Sequence, residues 1–327
     1  LLKQGSCILK YSTHSVPIKK FLDAPETPDS LKKFLKIVLE IRQFAQDSIG
    51  LVKSRNYSTF VSIDKPYLVD VVCASGPADF SPYRWCYPLF GCWPLRGYFD
   101  RQDALCEAGR LVKKGYDVYV GRVDAFSTLG FFSDPVYSFM KDFPVYRIAD
   151  LIIHEQTHAT IYVKNQVDFD EELAEFMGSE GALWFIRSKF GESSAAYAAA
   201  VKLSKDNDTY YRLIHSLYNR LSAVYGDSSM PLSARLAEKK EIIASFKDSL
   251  ARHYDSIFLT RAFRGLEKTE INNAFIGVDM TYSRDLDLFY RLYARKNQDL
   301  RATFAAIKSI EKKSGNYKEN MRKLLLQ

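Results

Sequence analysis

The stretch Leu151–His158, reading Leu-Ile-Ile-His-Glu-Gln-Thr-His, constrains this chain more than any other. On a helix, residues four apart share a face, so His154 and His158 can offer ring nitrogens to a single metal ion. Glu155 stands beside them, where it can take a proton from a metal-bound water. The apolar residues just before (Ile148, Ala149, Leu151, Ile152 and Ile153) suit a helix buried in a core. There a bare His–Glu pair is costly without a partner. In a chain with 5 histidines, chance produces this pattern about once in a hundred such sequences. The competing reading is a helix whose histidines only make hydrogen bonds, and the residues that follow weigh against it.

A third ligand is expected from a second helix. After His158 come Ala-Thr-Ile-Tyr-Val, a polar break at Lys164-Asn165-Gln166, and then Phe169 to Ala182. Asp168 or Asp170 can cap that helix, because a short acceptor side chain satisfies free backbone N–H groups. Glu171, Ala174, Glu175, Gly178 and Ala182 recur at helical spacing on one side. The small members of that stripe let the helix approach the first, which a carboxylate ligand requires. Glu172 belongs to a neighbouring stripe with Phe176, Ser179 and Leu183 and reads as ordinary packing. Glu171 is therefore the expected third ligand, with Glu175 either supporting the site or, second in order, ligating itself.

H-E-x-x-H followed by a helix with x-E-x-x-A resembles the gluzincin arrangement of thermolysin-like and alanyl-aminopeptidase-like enzymes. Further motifs run in order: Trp85-Cys-Tyr-Pro-Leu-Phe-Gly-Cys92, Arg96-Gly-Tyr-Phe99, Ala125-Phe-Ser-Thr-Leu-Gly-Phe-Phe-Ser-Asp-Pro135, Phe169-Asp-Glu-Glu-Leu-Ala174 and Ile271-Asn-Asn-Ala274. With them the chain resembles, over most of its length, a bacterial family of predicted aminopeptidases of the cell envelope. It departs in having Asp170 where that family usually has Asn, and in a shortened region between Tyr11 and Val16. The resemblance implies a zincin-like metallopeptidase core holding one Zn2+ per chain through His154, His158 and Glu171. It also implies a peptide substrate and a place in the bacterial periplasm or envelope. Gluzincins supply a Tyr or His from the lobe after the ligand Glu to stabilise the oxyanion. Tyr282 is the candidate here, with His215 and His253 as alternatives that each have an ordinary solvent-facing explanation.

Five cysteines are an odd count. Cys86 and Cys92 flank a tight segment and are either a local disulfide or two buried thiols. Cys73, in an apolar run, reads as core. Leu1-Leu-Lys-Gln-Gly-Ser-Cys7 resembles the tail of a signal sequence ending at a lipid-modified cysteine, so Cys7 is a candidate for membrane attachment through a lipid. Gln4 fits that pattern poorly. The net charge of +7 is spread among acids along the chain, and no nucleic-acid recognition motif accompanies it, so a nucleic-acid partner is not expected. Oligomeric state is not encoded in any pattern of the sequence.

In chain order, a helix is predicted from Leu31 to about Ile49, closed by Gly50. Strands are predicted at Thr59–Ile63 and Tyr67–Cys73, a helix from Arg101 to Lys114, and a strand at Asp117–Val123 leading into Ser127–Gly130. Substrate backbone is placed near Val123 to Leu129, added as a further strand, with a plain turn as the rival reading. Beyond Phe185, helices are predicted over Ser193–Leu203, Asp208–Tyr225, Ser233–Phe258 and Leu286–Lys312. The expected fold is α+β with a small sheet and a dominantly helical second half. Residues 1–150 would form an α+β lobe with the substrate-side strand and residues 151–327 a helical lobe, together one compact unit. The expected activity is zinc-dependent peptide hydrolysis with Glu155 as general base and aminopeptidase action. The rivals are an envelope binding or scaffold protein that keeps the metal, and a metal-dependent hydrolase of non-peptide substrates.

Overall fold

The computed structural model describes residues 14–87, 91–124, 133–310 and 316–326. Cys7, Ser127–Gly130 and the rest of the expected substrate-side stretch beyond Asp124 lie outside them. The fold is mixed α+β, 62% helical with small sheets. It opens with β1 (Val16–Pro17), α1 (Ile18–Asp23) and α2 (Asp29–Phe44), then β2 (Thr59–Val61), β3 (Val69–Ser75), β4 (Trp85–Tyr87), β5 (Gly91–Trp93) and β6 (Leu95–Tyr98). Next come α3 (Arg101–Val112), β7 (Asp117–Val123), β8 (Val136–Tyr137), α4 (Val145–Thr160) and α5 (Val167–Phe190). The helices α6 (Ala195–Gly226), α7 (Leu232–Ile257), α8 (Asn273–Ser283), α9 (Leu286–Arg295), α10 (Leu300–Lys308) and α11 (Tyr317–Leu324) follow.

Contacts group the chain into two units, Leu1–Tyr67, Asp124–Ala200 and Tyr282–Gln327 forming one and Leu68–Val123 and Val201–Thr281 the other. Both units draw on residues before and after position 150. In the first, Pro28 fixes the entry to α2, and Asp29 in its first turn suits the positive end of the helix dipole. Phe34, Leu35, Val38 and Ile41 recur every three to four residues and are buried. The α-helix stops at Phe44, and Ala45–Ile49 widen into a π turn. Gly50, at φ +92°, donates back to the Ala45 carbonyl, a left-handed closure that favours glycine. β2 lies between β1, antiparallel, and β8, parallel. Phe44 packs edge-on against Trp184 and Phe185 of α5, and Phe169 and Phe176 of the same helix meet Phe289 of α9.

In the second unit, β3 is flanked by antiparallel β6 and β7. Ala104, Ala108 and Leu111 of α3 bury against Val72, Ala74, Trp85 and Tyr98. A separate core joins Ile214, Leu217 and Leu221 of α6 with Ile242, Phe246 and Leu250 of α7 and Ile271, Phe275 and Ile276 near α8. Cys86 and Cys92 face each other across the β4–β5 hairpin and form a disulfide, which settles the choice between disulfide and thiols. Cys73 is buried and Cys106 exposed.

Two helical expectations are corrected. Ser193–Leu203 and Asp208–Tyr225 are one continuous helix, because the polar residues between them (Ser204 to Asn207) include no helix breaker. Buried Asp206 turns instead to the 259–260 backbone, accepting from Leu259 N and Thr260 N at 2.7 Å each. Conversely, Leu286–Lys312 is not continuous. Asn297 and Gln298 are both left-handed (φ +54° and +57°), and Asp299 then caps α10 by accepting from Ala302 N. No helix among the described residues is long and apolar enough to cross a membrane.

Candidate metal centre

The site is built on α4 and α5. Pro144 precedes α4, and its buried face carries Tyr146, Ile148, Ala149, Ile152 and Ile153. α5 is buried through most of its length from Phe169 to Ile186. Gly178 sets how close the two helices come. A Cβ there would stand 2.5 Å from Asp150 Oδ1, 2.9 Å from the Asp150 carbonyl and 3.2 Å from His154 Cβ. The Tyr146 and Ser179 hydroxyls join the pair at 3.1 Å.

That approach brings together His154, His158 and Glu171, whose ligand atoms form one cluster. His154 Nε2 and His158 Nε2 are 3.2 Å apart, and Glu171 Oε2 lies 3.5 Å from the first and 3.4 Å from the second. Charge-assisted hydrogen bonds close to about 2.7–2.9 Å, so this triangle is too wide for a carboxylate held only by the two rings. Four tetrahedral donors at about 2.0–2.1 Å from an ion stand about 3.3–3.4 Å from one another. The triangle has that size. Two imidazoles and one carboxylate are also the donor set of catalytic zinc sites, which keep a fourth position open. The residues present therefore fit a zinc ion.

Charges around the cluster are uneven. Burial disfavours a charged His154 ring, but Glu171, Glu155 and Glu175 outweigh it and push the ring up to about 9. Glu171 is half-buried, and although desolvation works against its charge, the two histidines hold its carboxyl well below the usual range. Glu155 is 8% exposed, and burial pushes its carboxyl up against the pull of His154 and His158. Its Oε2 has no hydrogen-bond partner in the protein. Asp150, one turn before His154, also buries an oxygen without a partner, and burial, then the charge of Glu175, raises its pKa.

The remaining candidates are distributed as follows. The Tyr282 ring lies 6.2 Å, centroid to centroid, from that of His154. His215 and His253 belong to the other unit, His253 being exposed on α7. Asp124 pairs with Arg147, so its charge is already met. Glu172 is not ordinary packing, contrary to the stripe it shares with Phe176 and Ser179. Fully buried, it pairs with Lys318 Nζ of α11 at 2.8 Å and accepts from Asp285 N at 2.9 Å. Neither Asp168 nor Asp170 caps α5, which begins at Val167 after an uncapped Gln166. Asp170 reaches back instead to Val163 N in the connection from α4. Asp150 was legible only as one more residue on the histidine face, four before His154.

A family model described as "Putative aminopeptidase" matches residues 1–324. No curated protein and no solved structure matches the chain.

Proposed function

We propose that this chain, which belongs to the putative aminopeptidase family, is a zinc-dependent peptidase of gluzincin type built on a zincin-like core. The observation that carries the reading is the His154–His158–Glu171 triangle, sized for a tetrahedral ion, with Glu155 on the helix of the two histidines burying an Oε2 that no protein group meets. Zinc held there would lower the pKa of a coordinated water and polarise a substrate carbonyl. Glu155 takes the proton of the attacking water and returns it to the leaving amine. Its buried position keeps the carboxylate from being levelled by solvent, which raises its proton affinity toward that task. Tyr282, whose ring lies beside that of His154, would donate to the substrate oxygen on which charge develops. Glu175 and Asp124 are the candidates to hold a substrate ammonium, and Asp124 pairs with Arg147.

We place the protein in the bacterial envelope, with a lipid on Cys7 as its anchor. The Cys86–Cys92 disulfide supports an oxidising compartment.

The test is metal analysis of the purified protein paired with a peptide-library digest. The expected result is one zinc per chain and release of N-terminal residues from peptides with free amines. Equal cleavage of N-acetylated peptides would exclude strict aminopeptidase action. A tightly held metal without hydrolysis across the library would favour a binding or scaffold role instead.

A further inference from the structure

Glu155 is one of several residues that bury polar atoms without a protein partner on two neighbouring stretches. On α4 they are Asp150 Oδ1, Glu155 Oε2 and both ends of the Gln156 amide. On residues 46–59 they are Gln46 Nε2, Asn56 Nδ2, the Tyr57 hydroxyl and Thr59 Oγ1. Two contacts lay the second stretch along the first. Ile49 Cδ1 and Ile153 Cδ1 both stand 3.0 Å from where a Cβ on Gly181 would be. Further on, Val52 N donates to Thr160 Oγ1 at 3.0 Å, and Thr160 donates to the Gln156 carbonyl at 2.7 Å. Gln156 and Thr160 share a helix face, so residues 49–52 run beside that face and lead directly to Asn56 and Tyr57.

Tyr57 is 1% exposed and left-handed, with φ +58°. A bulky residue adopts that conformation only where its surroundings over-determine it. Here they do. Tyr57 N donates to the Asp134 carbonyl at 2.6 Å, and Asn56 Oδ1 accepts from Asp134 N at 3.2 Å. The Arg42 guanidinium donates to the Asn56 carbonyl at 2.9 Å and to that of Ser54. The strain thus fixes an inward hydroxyl that the protein leaves unbonded. Burial raises its pKa well above the usual range, and Glu155 is the largest of the charges that add to this.

We infer that Tyr57 is a positioning residue for Glu155, with one buried water joining the Tyr57 hydroxyl to Glu155 Oε2. Buried polar atoms are costly when unmade, and a buried water needs two to four polar partners. The Tyr57 hydroxyl and Glu155 Oε2 supply two. Gripping one Glu155 oxygen from behind leaves the other free for the attacking water and restricts the carboxylate to one rotamer. This rests on the reading of Glu155 as general base.

The test combines crystallography with kinetics of the zinc-loaded enzyme. A high-resolution structure of the wild-type protein should show a water within about 2.6–3.2 Å of both oxygens. In Tyr57→Phe, which keeps the ring and its packing, that water should be lost and the Glu155 carboxylate should rotate. Tyr57→Phe should lower kcat about tenfold, as loss of an indirect support does, with KM, zinc content and Tm unchanged. Placed on Glu155→Gln it should reduce the residual rate no further. Absence of the bridging water overturns the inference, as does an undiminished kcat in Tyr57→Phe or an equal loss on the Glu155→Gln background. Should the protein cleave no peptide at all, the water alone decides. Its presence then upholds the Tyr57–Glu155 link while the peptidase reading fails.

Discussion

Two buried polar regions of this protein differ in how completely their atoms are paired. Around Asn272 and Asn273, both ends of each side chain are engaged. Asn273 donates to the carbonyls of Gly76 (3.0 Å) and Asp79 (2.9 Å) and accepts from the Tyr225 hydroxyl (2.8 Å). Its backbone N–H reaches Asp117, which also pairs with Lys239. Asn272 donates to the Val118 carbonyl at 2.8 Å and accepts from Phe275 N at 3.0 Å. Around α4, by contrast, Asp150, Glu155 and Gln156 each bury an oxygen that no protein group meets. A saturated network fixes one conformation, and an unsaturated one has been left open for something to bind or react. The Ile271–Ala274 motif is thus tied into the fold, whereas the Leu151–His158 motif, on the function proposed above, serves chemistry.

The largest effect that could break this contrast is loss of the metal. Glu171→Ala should lose most bound zinc, well beyond the about 10–100-fold weakening typical of a supporting residue. Glu175→Ala should show at most that weakening. Glu172→Ala should keep its zinc, but it leaves Lys318 only its Asp285 partner at 2.9 Å and should cost about 1.5–3 kcal/mol of stability. Zinc content after dialysis and denaturant unfolding check all three. If Glu172→Ala stripped the metal while Glu171→Ala retained it, the reading of the α5 face would be off by one residue. Next in size, Glu155→Gln should hold zinc while hydrolysis falls at least about a hundredfold. Near-normal turnover would remove the general-base role.

On the saturated side, Asn273→Ala leaves two carbonyls and a hydroxyl without their partner. It should cost about 2–3 kcal/mol in denaturant unfolding, with zinc per folded chain unchanged. A loss of metal in that variant would show that the two regions are not separable in function.

The smallest effect is in pH. Without metal, His154 holds its proton up to about 9, above the ordinary value of about 6.5. Its protonated form therefore stabilises the metal-free fold fully below about 6.5, and that contribution is lost as pH rises through about 9. Zinc must displace the same proton, so its apparent affinity should rise about tenfold per pH unit as pH climbs toward 9. The window above about 7.5 is clearest, because Asp170 and Glu172, both raised to about 7 mainly by burial, have ionised by then. Competition titrations with a chelator should show the slope. A flat profile would mean that His154 is already neutral.

Much of this site was legible because its parts lie on two helices, where spacing fixes direction. His154 and His158 converge as residues four apart must, and Gly178 in the Glu171 stripe marks the close approach. Glu172 was misread because its partners, Lys318 and Asp285, lie more than a hundred residues away, beyond any local pattern. Tyr57 was invisible for a related reason. Its left-handed backbone is imposed by Asp134 and Arg42 rather than by its neighbours in the chain. The same limit explains the helices. Periodicity carried straight through Asn297-Gln298, where two left-handed residues end a helix that the apolar spacing alone would continue.

The most direct test of the central claim is zinc K-edge X-ray absorption on the zinc-loaded protein. The account predicts four nitrogen and oxygen donors at about 2.0–2.1 Å, two of them imidazole. A sulfur donor at about 2.3 Å, a six-coordinate oxygen shell, or a protein that retains no zinc would contradict it.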